Sequence, residues 1–148
     1  MTFPLPLPSN VMNVKRVSGG SQTAGAEVSD TVPAGKYWYL MSAQHVLTKG
    51  GTGTVMPILQ IVDQGGNVVL ESVGSTTVQA VNTTTTYTWA PGLPQSGQIG
   101  ATTTVHSTAP LPEGFLLPPG YGLKTVTVPA VGATSSYGTP TYFVAELG

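Results

Sequence analysis

The chain has no cysteine, which rules out a disulfide framework and thiolate metal sites and leaves its redox compartment open. Charge is almost as scarce. Asp, Glu, Lys and Arg make up 7% of the 148 residues, against roughly 25% in an ordinary soluble domain. Five Lys and Arg stand against six Asp and Glu, for a net charge of −1. Such a composition offers no basic patch to neutralise phosphates, so nucleic acid is not an expected partner. No apolar run approaches the length needed to span a bilayer, so a membrane is not an expected partner either. The opening residues Met1-Thr2-Phe3-Pro4-Leu5-Pro6-Leu7-Pro8 lack the basic region and unbroken apolar core of a secretory signal, which leads us to expect synthesis in a cytoplasm.

Catalytic groups are few as well. The only acids are Glu27, Asp30, Asp63, Glu71, Glu113 and Glu146, and no spacing pairs two of them across a bond as a glycosidase requires. Asp63 precedes Gly65-Gly66, where an Asp commonly holds the backbone N–H groups of a turn. His45 and His106 are the only histidines. Neither has a second ligand at a recognisable spacing, and a catalytic zinc site wants three protein ligands. No Gly-x-Ser-x-Gly elbow frames a nucleophile. Gly50-Gly51-Thr52-Gly53 lacks the Lys-Ser/Thr and the helix of a phosphate loop. The expectation is therefore a protein that is not an enzyme and carries no metal or cofactor, with each histidine a satisfied strand residue or part of an interface.

What the chain does have is hydrophobic residues (40%), 19 Gly and 13 Pro, with Thr, Val and Tyr filling the stretches between turn signals. Val32-Pro33-Ala34-Gly35 fits a type I turn and Ala90-Pro91-Gly92-Leu93 a type II turn. Gln64-Gly65-Gly66-Asn67 should close a hairpin. Strands are predicted over 36–49, 55–63, 67–73, 83–89, 99–107, 121–128 and 141–147. In the first, Tyr37, Tyr39, Met41 and Ala43 share one face and Trp38 and Leu40 the other, both buried at its start. Pro57 implies a bulge or an unpaired edge. In the last, Phe143, Ala145 and Leu147 are expected to point inward. The aromatics could line a sugar-binding platform, with Tyr137 the best candidate for an exposed contact, although buried core is the commoner use. This spacing predicts an all-β fold, an antiparallel β-sandwich of jelly-roll type over 22–148.

Residues 1–21 read differently. Pro4, Pro6 and Pro8 alternate with apolar residues, which forces an extended, polyproline-like path, and Ser18-Gly19-Gly20-Ser21 is a hinge. A short strand could lie within 10–16. The segment reads either as a loose terminus or as an arm that reaches a neighbouring subunit. Phe3, Leu5, Leu7 and Val11 are the candidate contact residues.

The order Val32-Pro33-Ala34-Gly35-Lys36-Tyr37-Trp38, Pro57-Ile58-Leu59-Gln60-Ile61, Gly66-Asn67-Val68-Val69, Thr86-Tyr87-Thr88-Trp89-Ala90-Pro91-Gly92-Leu93 and Leu116-Leu117-Pro118-Pro119-Gly120-Tyr121 resembles small β-sandwich virion proteins of tailed bacteriophages. The resemblance covers most of the chain after residue 30 and rests on turn-and-strand signatures. It implies a capsid decoration (cement) protein, located in the virion after assembly in the host cytoplasm. Its partners would be the major capsid protein or another virion protein and copies of itself, a trimer being favoured. The alternative is a tail, neck or fibre component, an adhesin module that binds a host surface glycan.

Overall fold

The computed structural model describes residues 12–148; the candidate arm contacts Phe3, Leu5, Leu7 and Val11 lie outside the described residues. The described chain forms the strands β1 (Asn13–Ser18), β2 (Ser29–Thr31), β3 (Tyr37–Lys49), β4 (Met56–Val62), β5 (Val68–Val73) and β6 (Thr83–Pro91), followed by β7 (Val105–Leu111), β8 (Leu116–Leu117), β9 (Gly122–Val128), β10 (Ser136–Tyr137) and β11 (Thr141–Leu147). Among the described residues there is no helix, and so none long and apolar enough to cross a membrane. The strands make two sheets. One has the order β1-β11-β3-β6-β7, with β8 and β10 also paired to β3, and the other has the order β2-β9-β4-β5. The fold is all-β and sandwich-like. The larger sheet is mixed, because β6 and β7 run parallel where a wholly antiparallel sandwich was expected.

Residues 13–18, assigned by the sequence to the arm, pair along their whole length with β11. The body thus begins at Asn13, and Val17 packs against the core.

A single extra residue explains the largest departure in β3. Ser42 pairs with Phe143 and Leu40 with Val144, so Met41 has no opposite number. This bulge turns both Leu40 and Ala43 inward. Beyond it Ala43, His45, Leu47 and Lys49 are buried, on the side of Trp38 and not, as the alternation suggested, on the side of Tyr37. β11 is inverted relative to expectation. Tyr142, Val144, Ala145 and Glu146 are buried while Phe143 is exposed, and Glu146 is held in place by bonds from Trp38 Nε1 and Lys15 Nζ.

Pro57 causes no bulge. It pairs in register with Thr127, and its carbonyl accepts from Gly74 N at 2.8 Å just past the end of β5. The missing N–H therefore faces a place where the ladder has already stopped. The predicted strand over 99–107 is shortened to Val105 onward. Gly100 (φ +121°) and Thr102 (φ +52°) reverse the chain, and a Cβ at Gly100 would lie 2.3 Å from the Thr104 carbonyl oxygen. Ile99 is left exposed, bridged to His106.

Between the sheets lies a core of Trp89, Tyr87, Tyr142, Leu47, Leu59, Leu117 and Leu123. Tyr87 and Trp89 stack at 5.9 Å, and Gly74 lies against them, where a Cβ would come within 2.8 and 2.9 Å of their rings.

Candidate interaction surface

Five of the six acids, Glu27, Asp30, Asp63, Glu71 and Glu146, hold hydrogen bonds within the fold. Glu27 accepts from Thr125 Oγ1 at 2.6 Å and from Thr127 N at 2.9 Å, fixing the chain before β2 to β9. Asp30 accepts from Gly20 N and from Tyr142 Oη, both at 2.7 Å. Asp63 holds the hairpin turn through Gly65 N and Asn67 N, both at 2.9 Å. Those bonds, with Asn67 foremost, keep its carboxyl below the usual range. Glu71 pairs with Gln60.

Glu146 is the most buried of the acids. It accepts from Trp38 Nε1 and Lys15 Nζ, each at 2.8 Å, with Lys36 Nζ at 3.9 Å. Burial pushes its carboxyl up, but the bonds from Lys15 and Trp38 and the two ammonium charges prevail and hold it below the usual range. Glu146→Ala should cost about 2–3 kcal/mol in chemical denaturation, because Trp38 Nε1 is left buried without an acceptor while the lysines can retreat to water. Glu146→Gln should cost about half as much, since its amide oxygen still accepts. Equal losses in the two variants would assign the effect to charge alone.

The two histidines lie on opposite faces of the larger sheet. His45 is fully buried, ringed edge-on by Trp89, Tyr137 and Tyr142 with centroids at 5.5, 6.2 and 5.7 Å. Neither ring nitrogen has a hydrogen-bond partner, contrary to the satisfied ring expected, and burial pushes its pKa down to about 3. His106 is exposed beside Thr86 on the outer face. The sheet separates them, so they cannot meet at one cleft. Among the described residues no group of three His, Cys, Asp or Glu is placed to hold a metal ion. Tyr137, expected to be an exposed contact, is 2% exposed and shares a hydrogen bond with Thr127 Oγ1 at 2.6 Å.

On the outer face of the larger sheet, Val14 pairs with Ala145, Ala145 with Tyr39 and Tyr39 with Leu116. These four form an apolar row across β1, β11, β3 and β8, in which Val14 and Leu116 are exposed, Tyr39 is half-buried and Ala145 is covered by its neighbours. Exposed Tyr37, Met41 and Phe143 flank the row. At its β8 end a groove of about 330 Å³ opens between Tyr39, Met41, Pro91, Glu113 and Phe115. The rest of this face is mostly polar, with Thr84 and Thr88 beside Thr48 and Gln44, and Thr86 beside Val46.

The smaller sheet carries a second, lesser row, Val126–Ile58–Val73, with Met56 and Val128 beside it. Scattered exposed apolar residues are ordinary; rows continuous across neighbouring strands mark interaction surfaces. The sequence noticed Tyr37, Tyr39 and Met41 as one face but assigned them to a core. Phe143 was assigned inward. What it lacked was the β3 bulge, which decides which side of each strand meets the second sheet.

No family model, curated protein or solved structure matches this chain.

Proposed function

We propose that this protein is a non-enzymatic structural component of a tailed-phage particle that decorates and stabilises the capsid by binding the outer shell and neighbouring subunits. The observation that carries the reading is the exposed apolar patch of Val14, Tyr37, Met41, Leu116 and Phe143, which has no partner among the described residues, on a chain with 7% charged residues. A surface so poor in charge does little to keep copies apart, and the second row on the opposite sheet gives the sandwich two faces to bury.

Magnitudes indicate how such a protein would hold. The seven side chains Val14, Tyr37, Tyr39, Met41, Phe115, Leu116 and Phe143 are already partly covered, so each gains on the order of 1 kcal/mol on full burial. Roughly 7 kcal/mol in all is comparable to the 4–15 kcal/mol cost of bringing two bodies together. One face alone binds weakly. Further apolar contact from the arm, or several sites engaged at once, is needed for stable attachment.

The test is co-sedimentation with capsids of the full chain beside a variant lacking residues 1–11. The deletion must stop there, since removing 1–20 would strip β1 from the sheet. Capsid binding by the full chain that weakens at least tenfold without the arm is the expected result. Absence of capsid binding by both would overturn the reading.

The alternative, a tail, neck or fibre module that binds a host surface glycan, draws on the groove at β8. There the aromatic side chains of Tyr39 and Phe115 lie near the carboxylate of Glu113, the pairing of stacking surface and acceptor that a sugar uses. Glycan-array binding abolished by Phe115→Ala and Glu113→Ala would favour it.

A further inference from the structure

We infer that two copies of this chain pack face to face through the outer face of the larger sheet, related by a two-fold axis running along the strands between β11 and β3. This rests on the reading of the exposed patch as a contact surface, and it names what covers that patch.

The charges at the two sides of the patch carry the argument. Across one level of the face, Arg16 pairs with Phe143 and Phe143 with Ser42. Met41, the neighbour of Ser42 in the chain, lines the groove together with Glu113. The patch therefore has a cation on its β1 side, apolar side chains across its middle and an anion on its β8 side. Neither charge is matched within one copy. The ion pairs among the described residues join Lys15 and Lys36 to Glu146. Arg16 is exposed and reaches Thr141 Oγ1 at 3.4 Å, and Glu113 is exposed with no bonded cation among the described residues.

Symmetry turns this arrangement into a specific contact. An isologous interface sets a residue of one copy against a second residue of the other, and the reverse. Half a turn about an axis along the strands exchanges β1 with β8 and β11 with β3. Arg16 of each copy then meets Glu113 of the other, Val14 meets Leu116, and Phe143 meets Met41. Two sheets packed in this aligned way, about 10 Å apart, have the ordinary geometry of a sandwich. An axis across the strands would instead set β1 over β1 and β8 over β8, like charge over like, which is costly. Each apolar side chain is buried twice in such a dimer, which doubles the gain of a one-sided contact. The row on the smaller sheet is a poorer choice. It has no aromatic residue, and Glu71 beside it already accepts from Gln60 Nε2.

The experiment is sedimentation velocity on the full-length chain and on three variants, Arg16→Glu, Glu113→Arg and Phe143→Asp, with circular dichroism to check folding. The unaltered chain should form dimers. Each charge reversal places two like-charged contacts in every dimer and should weaken association about 10-fold. Phe143→Asp should weaken it about 100-fold. An equimolar mixture of Arg16→Glu and Glu113→Arg should regain the original affinity as heterodimers, because both ion pairs re-form with their signs exchanged. A monomeric or trimeric unaltered chain would overturn the inference, as would charge reversals without effect or a mixture that is not rescued. Capsids are absent from this experiment, so its failure is distinct from a failure of particle binding.

Discussion

Acidification from pH 6.5 to pH 4.5 should lower the unfolding free energy by about 2–3 kcal/mol, and His45→Leu should remove that dependence. The ring of His45 is buried without a hydrogen-bond partner. Its folded pKa is pushed by burial down to about 3 from 6.5. Between those values the unfolded chain binds a proton that the folded chain refuses. Stability is thus unaffected by this group above about pH 6.5 and falls as pH drops toward about 3, where the folded form also protonates. One proton over the full window amounts to about 5 kcal/mol, a large share of a typical domain's stability.

The upper part of the window is diagnostic, because Glu146 and Asp63, whose carboxyls are held low, remain ionised there. At pH 7 the leucine variant should be at least as stable as the original. Two unsatisfied ring nitrogens cost about 1–3 kcal/mol, against about 0.5–1.5 kcal/mol for the lost edge contacts with the aromatic rings. Denaturant titrations at pH 7, 5.5 and 4.5 on both proteins make the comparison. An unchanged slope in the variant would move the effect to other groups.

Gln79→Leu should cost about 3–4 kcal/mol by denaturant titration at neutral pH. Gln79 is fully buried outside any strand. Its Nε2 donates to the carbonyl oxygens of Leu47 at 2.8 Å and Thr83 at 3.0 Å, and its Oε1 accepts from Tyr87 Oη at 2.9 Å. The leucine fills similar space but deprives two carbonyls of this donor and a tyrosine hydroxyl of its acceptor, at roughly 1–3 kcal/mol for each group left unpaired. Tyr87 Oη keeps the bond it accepts from Gln98 Nε2 at 3.0 Å, which places the expected loss below the sum. Because Gln79 and Tyr87 share a bond, Tyr87→Phe combined with Gln79→Leu should be less damaging than the two single effects added. A loss below about 1 kcal/mol would mean that the carbonyls find other partners and that the tie between β3 and the start of β6 lies elsewhere.

The role of Gln79 is not written in its local sequence. Within Val78-Gln79-Ala80-Val81 it looks like one polar residue in a connection, and nothing local marks it as a fully buried hub. His45 was visible as a strand residue, yet its surroundings come from β6, β10 and β11, distant in sequence. Phe143 and Glu146 exchanged expected faces for a related reason. Alternation gives two equivalent answers, and only the partner strand chooses between them.

By itself the sequence determined the class and the local pieces: an all-β chain, the turns at Gly66 and Gly92, the strands that became β3 to β6, β9 and β11, and the role of Asp63 in its turn. These rest on backbone conformation and on the pattern of neighbouring residues, which are written locally. The tertiary structure alone decided the β3 bulge at Met41, the parallel pairing of β6 with β7, the burial of His45, Gln79 and Glu146, and the exposure of Tyr37, Met41 and Phe143 on one outer face. Each depends on which strand lies alongside and which sheet lies opposite, a matter of long-range packing that no local pattern encodes.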